Sequence, residues 1–147
     1  MSKPPSPLHV LIVEDDDNHA LLLETSWAKQ NRDAQLTRCR DGVEARNYLD
    51  TLQDTPDLRP DLVILDLKMP RRSGFEVLDD FKTDDRYRKI PVVVLTTSDN
   101  DQDRQRAYDH HANSYVVKPM DFDAFGTMVG QLDSYWARVN RPCREAW

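Results

Sequence analysis

Five residues in this chain carry functional groups that could act together. Glu14 and Asp15 open the acidic stretch at 14–17, Asp66 follows the apolar run 62–65, Thr96 follows 91–95, and Lys118 follows 115–117. Three carboxylates held close repel one another, and burial makes the repulsion worse. A hard divalent cation relieves it, because Mg²⁺ takes oxygen ligands and keeps several of its waters. With Mg²⁺ bound, the charges of Glu14, Asp15, Asp66, Lys118 and the cation cancel. A phosphoryl group entering such a site brings negative charge that the cation, the ammonium and the Thr96 hydroxyl can stabilise. Phosphoryl transfer asks for little more than positioning and electrostatic stabilisation. A carboxylate can itself be the nucleophile, forming an aspartyl-phosphate.

These residues can meet only if the elements before them are parallel neighbours. Residues 8–13 form an apolar run of strand length, and 18–31 place Ala20, Leu23, Trp27 and Ala28 at helical spacing. Residues 34–39 alternate as an edge strand would, and 42–52 are helical again. The run at 62–65 is continuously apolar, as is 91–95, which is how strands covered on both faces read. Helices are expected at 75–81 and 102–111, and a short strand at 115–117. A long amphipathic helix is expected at 121–139, capped by Asp121 and ended by Pro142. Five strand–helix repeats mean a parallel α/β sheet with helices on both faces and right-handed crossovers. In such sheets ligands bind beyond the carboxyl ends of the strands. The connection 51–61 is longer than the fold requires.

Composition excludes much else. The 147 residues suit one domain, with 39% hydrophobic and 31% charged content. Lys and Arg number 20 against 26 Asp and Glu, a formal net charge of −6, and no basic stripe marks a nucleic-acid footprint. No apolar run approaches a membrane span. Cys39 and Cys143 stand far apart, which fits a reducing cytoplasm and no cysteine metal site. Gly42, Gly74, Gly126 and Gly130 cannot form a nucleotide cradle, no His is followed by Glu as in a zinc-protease helix, and no serine sits in a nucleophile elbow. The tail 1–7 is proline-rich and reads as disordered.

The stretches 13–16 (VEDD), 65–70 (LDLKMP), 95–98 (LTTS) and 115–119 (YVVKP) resemble the receiver domain of two-component response regulators. The likeness runs over 8–139. It implies a flavodoxin-like sheet of order 2-1-3-4-5 and a phosphoryl group accepted from a histidine kinase. Glu14 and Asp15 become the metal-binding acids, and Asp66 the phosphoacceptor and a third metal ligand. Lys68 offers a backbone carbonyl to the metal, Mg²⁺ with Mn²⁺ able to substitute. Thr96 and Lys118 bind the phosphoryl oxygens, Pro119 follows through a cis bond, and Tyr115 is the aromatic that turns inward when Thr96 moves. Glu14 stands where many receivers have Asp. The 51–61 connection, the threonines after the fourth strand, the segment 121–125 and Tyr135-Trp136 resemble the single-domain regulators paired with phytochrome kinases. Kinase docking is expected at His19, Leu22, Pro119 and Met120, with Leu22 alternatively in the core. Output is expected as protein–protein contact, because no effector domain follows in 140–147. A homodimer is expected around Tyr115, Phe125, Tyr135, Trp136 and Val139, with Trp147 and Pro142 nearby. The alternative for the dimer patch is a tail that covers Trp136 within one chain.

Each feature also has a plainer reading. An acidic run often marks a helix N-terminus, where carboxylates offset the dipole, and Asp16 and Asp17 are read that way. Asp66 alone could be a turn residue, and Lys118-Pro119 a strand exit. Cys39 is read as a strand residue and Cys143 as an exposed tail thiol, neither functional, and His110 and His111 as surface helix residues. The stripe Phe122, Phe125, Val129, Leu132, Trp136, Val139 is core-facing by default, with Trp136 and Val139 outrunning the sheet. A different function, a Mg²⁺-dependent aspartyl-phosphate hydrolase of the haloacid-dehalogenase kind, needs a second Asp two residues after the nucleophile, where this chain has Lys68. A receiver that only binds a partner would lack the acceptor or the lysine, and both are present.

Overall fold

The computed structural model describes residues 7–143. The expectations for residues 1–6 and for Trp147 fall outside these residues. Five parallel strands form one sheet in the order β2-β1-β3-β4-β5. They are β1 (His9–Val13), β2 (Gln35–Cys39), β3 (Leu62–Leu65), β4 (Val92–Thr96) and β5 (Ser114–Val117). The helices between and after them are α1 (Asp17–Gln30), α2 (Gly42–Thr51), α3 (Gly74–Lys82), α4 (Asp101–Asp109) and α5 (Phe122–Asp133). The expected order and class are what the structure contains.

Successive residues of a strand point to opposite faces, and here both faces are covered. Leu11, Val13, Val63, Leu65, Val92 and Val94 pack with Ala45, Leu49, Val77, Leu78, Phe81 and Ala107, residues of α2, α3 and α4. Val10, Ile12, Leu62, Ile64, Val93 and Leu95 pack with Leu23 and Trp27 of α1 and Phe125 and Val129 of α5. That double coverage is why β1, β3 and β4 are buried throughout and apolar but for His9 at the start of β1 and Thr96 at the end of β4. On the α1/α5 side, Asp133 is buried and accepts from Trp27 Nε1 at 3.0 Å and Asn31 Nδ2 at 3.1 Å. This satisfies the indole while tying the two helices together.

The helix starts follow local chemistry. Asp16, Asp41, Ser73, Asn100 and Asp121 each accept from first-turn amides, and Ser73 with Glu76 completes a capping box. Asp16 and Asp17 are thus the plain helix-start residues expected. The connection 51–61 contains a 3₁₀ turn at Pro56–Leu58.

Several expectations about α5 and its neighbours are corrected. The helix does not run unchanged to residue 139, because its last stretch, Ser134–Val139, is π-helical. Phe122 is exposed, because it opens the helix beyond the sheet edge, whereas Phe125 one turn on is buried in the core and presents no output surface. Trp136 is half-buried against the α1/α5 core rather than wet, while Tyr135 and Val139 are exposed. Leu22 is likewise half-buried against that core. At about 100° per residue it flanks the inward Leu23, and Leu21 takes the exposed face. His110, read as a surface residue, is half-buried with Nδ1 2.5 Å from Asp79 Oδ1, a partner 31 residues away.

Candidate functional site

The strand register brings the five residues together. Val13 pairs with Leu65, so Glu14 and Asp66 leave the sheet side by side, and the Asp66 amide donates to the Val13 carbonyl at 3.0 Å. Thr96 pairs with Val117, and the Lys118 amide donates to the Thr96 carbonyl at 2.7 Å. Glycines close the floor of the site. A Cβ on Gly74 would lie 2.3 Å from the Asp66 carbonyl oxygen and 2.5 Å from Leu67 Cα, and one on Gly42 would lie 2.1 Å from the Arg72 carbonyl oxygen. Only glycine lets α2 and α3 press this closely on the loop after β3.

Glu14, Asp15 and Asp66 each offer a carboxylate oxygen, all within 4.8 Å of one another. Glu14 and Lys118 are buried, Asp66 is partly buried and Asp15 exposed. The Lys118 ammonium donates to Glu14 Oε1, to Asp66 Oδ2 at 3.2 Å and to His19 Nδ1 at 2.9 Å. Asp66 Oδ1 accepts from the Leu67 amide at 2.7 Å. Burial pushes the Glu14 carboxyl up to about 8, the Asp66 charge pushes it the same way, and the bond from Lys118 pulls against both. Three oxygen donors, one open to solvent, fit a hard divalent cation that keeps some of its waters. Lys68 lies two residues beyond Asp66 with its side chain exposed.

Thr96 is fully buried, and its Oγ1 accepts from the Ser98 amide at 3.3 Å. Tyr115 is half-buried against the α2–α4 core, with its hydroxyl donating to the Ser98 carbonyl at 2.9 Å. Thr96 and Tyr115 therefore meet through one loop, the one between β4 and α4. Met120 is fully exposed and Pro119 half-buried. The expected cis bond before Pro119 is absent: no peptide among the described residues is cis, in keeping with the ordinary trans preference of an X–Pro bond.

Residues 10–129 match the family described as response regulator receiver domain. The chain belongs to that family. The receiver is 39% identical over 135 residues to the probable methanogenesis regulatory protein FilR2 of Methanothrix harundinacea, covering 92% of this chain and 87% of that one. It is 35% identical over 133 residues to the response regulator Rcp1 of Synechocystis, covering 88% and 89% of the two chains. Among solved structures it superposes on the phosphorylated cyanobacterial phytochrome response regulator RcpA with a TM-score of 0.87 at 32% identity, over 94% of this chain and 99% of that one. It superposes on the Mn²⁺-bound form of Rcp1 with a TM-score of 0.84 at 33% identity, over 94% and 100%. The hydrolase alternative has no support from these comparisons.

Sequence reading missed three contributors to the receiver's site. Arg38 of β2 holds the Glu14 carbonyl through Nε at 3.1 Å and Nη2 at 3.0 Å and reaches Asp17 at 2.9 Å. Ser98 donates to Asp103 at 2.7 Å and so fixes the loop behind Thr96. Gly74, whose place a Cβ could not share with the Asp66 and Leu67 backbone, is the third. Nothing local flags Arg38, because its partners lie more than twenty residues away. Cys39 closes β2 as a buried strand residue, with its thiol pushed up to about 12 by that burial, away from the reactive thiolate form. No helix among the described residues is long and apolar enough to cross a membrane.

Proposed function

We propose that this receiver takes a phosphoryl group from the phosphohistidine of a histidine kinase onto Asp66 and signals through contacts with other proteins. The observation that carries the reading is the position of the Asp66 carboxylate. It leaves the central strand β3 at its carboxyl end, 3.2 Å from the buried Lys118 ammonium and within the Glu14–Asp15–Asp66 cluster.

A divalent cation held by Glu14, Asp15, Asp66 and the Lys68 carbonyl supplies charge neutralisation for the carboxylates and the incoming phosphoryl group. Mg²⁺ is the proposed cation, with Mn²⁺ as substitute. The chain's own groups do the rest. The Leu67 amide orients Asp66 through Oδ1. An Asp66 oxygen attacks phosphorus while the phosphorus–nitrogen bond to the kinase histidine breaks, and the freed imidazole leaves. Lys118 offers its positive charge to the phosphoryl oxygens. Thr96 turns its hydroxyl to the same oxygens by giving up the Ser98 amide, which frees the loop that Tyr115 holds. In this reading the receiver is a switch that promotes its own phosphorylation and slow dephosphorylation rather than a turnover enzyme.

The likeness to the phytochrome response regulator RcpA supports a phytochrome-type kinase as the donor. His19, Met120 and Pro119 flank Asp66 and form the proposed docking edge, with Leu21 rather than Leu22 presenting the apolar side chain. Phosphotransfer from purified histidine kinases of the host, labelled and mixed one at a time with the receiver and Mg²⁺, tests this. Rapid transfer from one kinase bearing a phytochrome sensor is expected. Transfer from another kinase alone would overturn the phytochrome pairing, and transfer from none would overturn the kinase reading.

A further inference from the structure

An ammonium has three N–H donors. Those of Lys118 go to Glu14, to Asp66 and to the ring of His19, at 2.9 Å for the last. Local structure explains how His19 arrives there. Asp16 caps α1 and accepts from the His19 amide at 3.0 Å, so His19 lies in the first turn. Side chains tilt toward the N-terminus of a helix, and that end of α1 stands at the carboxyl edge of the sheet. The ring is 38% exposed while the Lys118 side chain is 4% exposed. The imidazole is therefore the outer wall of the lysine's cage, with Nδ1 also 3.5 Å from Glu14 Oε1.

We propose that His19 is a positioning residue for phosphoryl transfer, holding the Lys118 ammonium toward Asp66 through its Nδ1. The inference rests on Asp66 being the phosphoacceptor. Lysine carries its charge on a flexible four-carbon stem. Once Glu14 turns to a cation, its hold on Lys118 weakens, and the ammonium needs another fixed partner. A carboxylate there would neutralise the charge that the phosphoryl oxygens require. A neutral imidazole accepts the hydrogen bond and leaves the positive charge in place. With Nδ1 accepting, the neutral ring carries its proton on Nε2.

The test uses acetyl phosphate and Mg²⁺ with no kinase, so that docking plays no part. Wild type labels at Asp66. His19→Ala lowers the limiting rate at saturating donor roughly three- to tenfold, the net worth of one hydrogen bond, with its melting temperature and half-saturating Mg²⁺ concentration near those of wild type. His19→Asn places an amide oxygen near the Nδ1 position and restores the rate, whereas His19→Leu does not. Imidazole ¹⁵N shifts of the neutral ring show the proton on Nε2. Equal limiting rates in wild type and His19→Ala, a loss that His19→Asn does not relieve, or a neutral ring protonated on Nδ1 would each overturn the proposal while leaving Asp66 labelling intact. A wild type that labels elsewhere would instead overturn the acceptor reading and this inference with it.

Discussion

Glu14 is the residue whose protonation governs the acidic cluster. Its carboxyl is buried beside Asp66 and lifted from an ordinary 4.5 to about 8. Between those values the folded chain holds a proton that the unfolded chain has released. Stability of the metal-free protein therefore falls as pH rises through that window. A cation must displace the same proton, so Mg²⁺ binding should tighten as pH rises toward about 8 and release protons to the buffer. Calorimetry in buffers of different ionisation enthalpy reads that release directly. Glu14→Gln should flatten the metal-free pH slope and abolish most of the Mg²⁺ effect; an unchanged slope would mean that another group titrates. The five functional residues were legible in the sequence because they stand at the ends of apolar runs. The His19 contact was not, since it joins residues 99 apart and nothing in the local pattern distinguishes that ring from a surface one.

Elements fix the site through close backbone approach as much as through side chains. Gly74→Ala forces a Cβ against the Asp66 and Leu67 backbone. It should cost about 1–3 kcal/mol or more, as overpacking does, and slow phosphorylation by shifting the loop that carries the acceptor. Gly126→Ala is the control, because a Cβ there meets nothing within 4 Å and should stabilise α5 by about 0.5–1 kcal/mol. Chemical denaturation of the two variants checks both signs, and equal effects would contradict the packing argument. Strand β3 was readable to the residue, because a fully buried strand is a continuous apolar run with acids at both ends. The end of α5 was less so. Helical spacing continues through Trp136 and Val139, yet the backbone there is π-helical and Trp136 turns half inward. Spacing fixes a face but not the point at which the backbone changes pitch.

At the scale of the molecule, the functional edge and the α5 end are separate surfaces of one sheet. The burial of Phe125 and partial burial of Trp136 remove the centre of the patch expected for a homodimer, but Tyr135 and Val139 stay exposed at 49% and 64%. The Tyr135 ring stands edge-on to Trp136 at 4.9 Å between centroids. We expect self-association through these two residues. Sedimentation of wild type should show a dimer that Val139→Asp dissociates while leaving the melting temperature near wild type. A monomeric wild type at roughly ten times the micromolar scale of a typical weak dimer would remove the interface.

The receiver's function depends on which residue the phosphoryl group is bound to. Intact-protein mass spectrometry after incubation with acetyl phosphate and Mg²⁺ measures it most directly. Wild type should gain a single phosphoryl group that is lost on mild base, as an acyl phosphate is. Asp66→Asn, which keeps the shape but lacks the nucleophile, should gain none. A variant that is labelled to the same extent as wild type, or a label on Ser, Thr or His, would contradict the assignment of Asp66 as the acceptor.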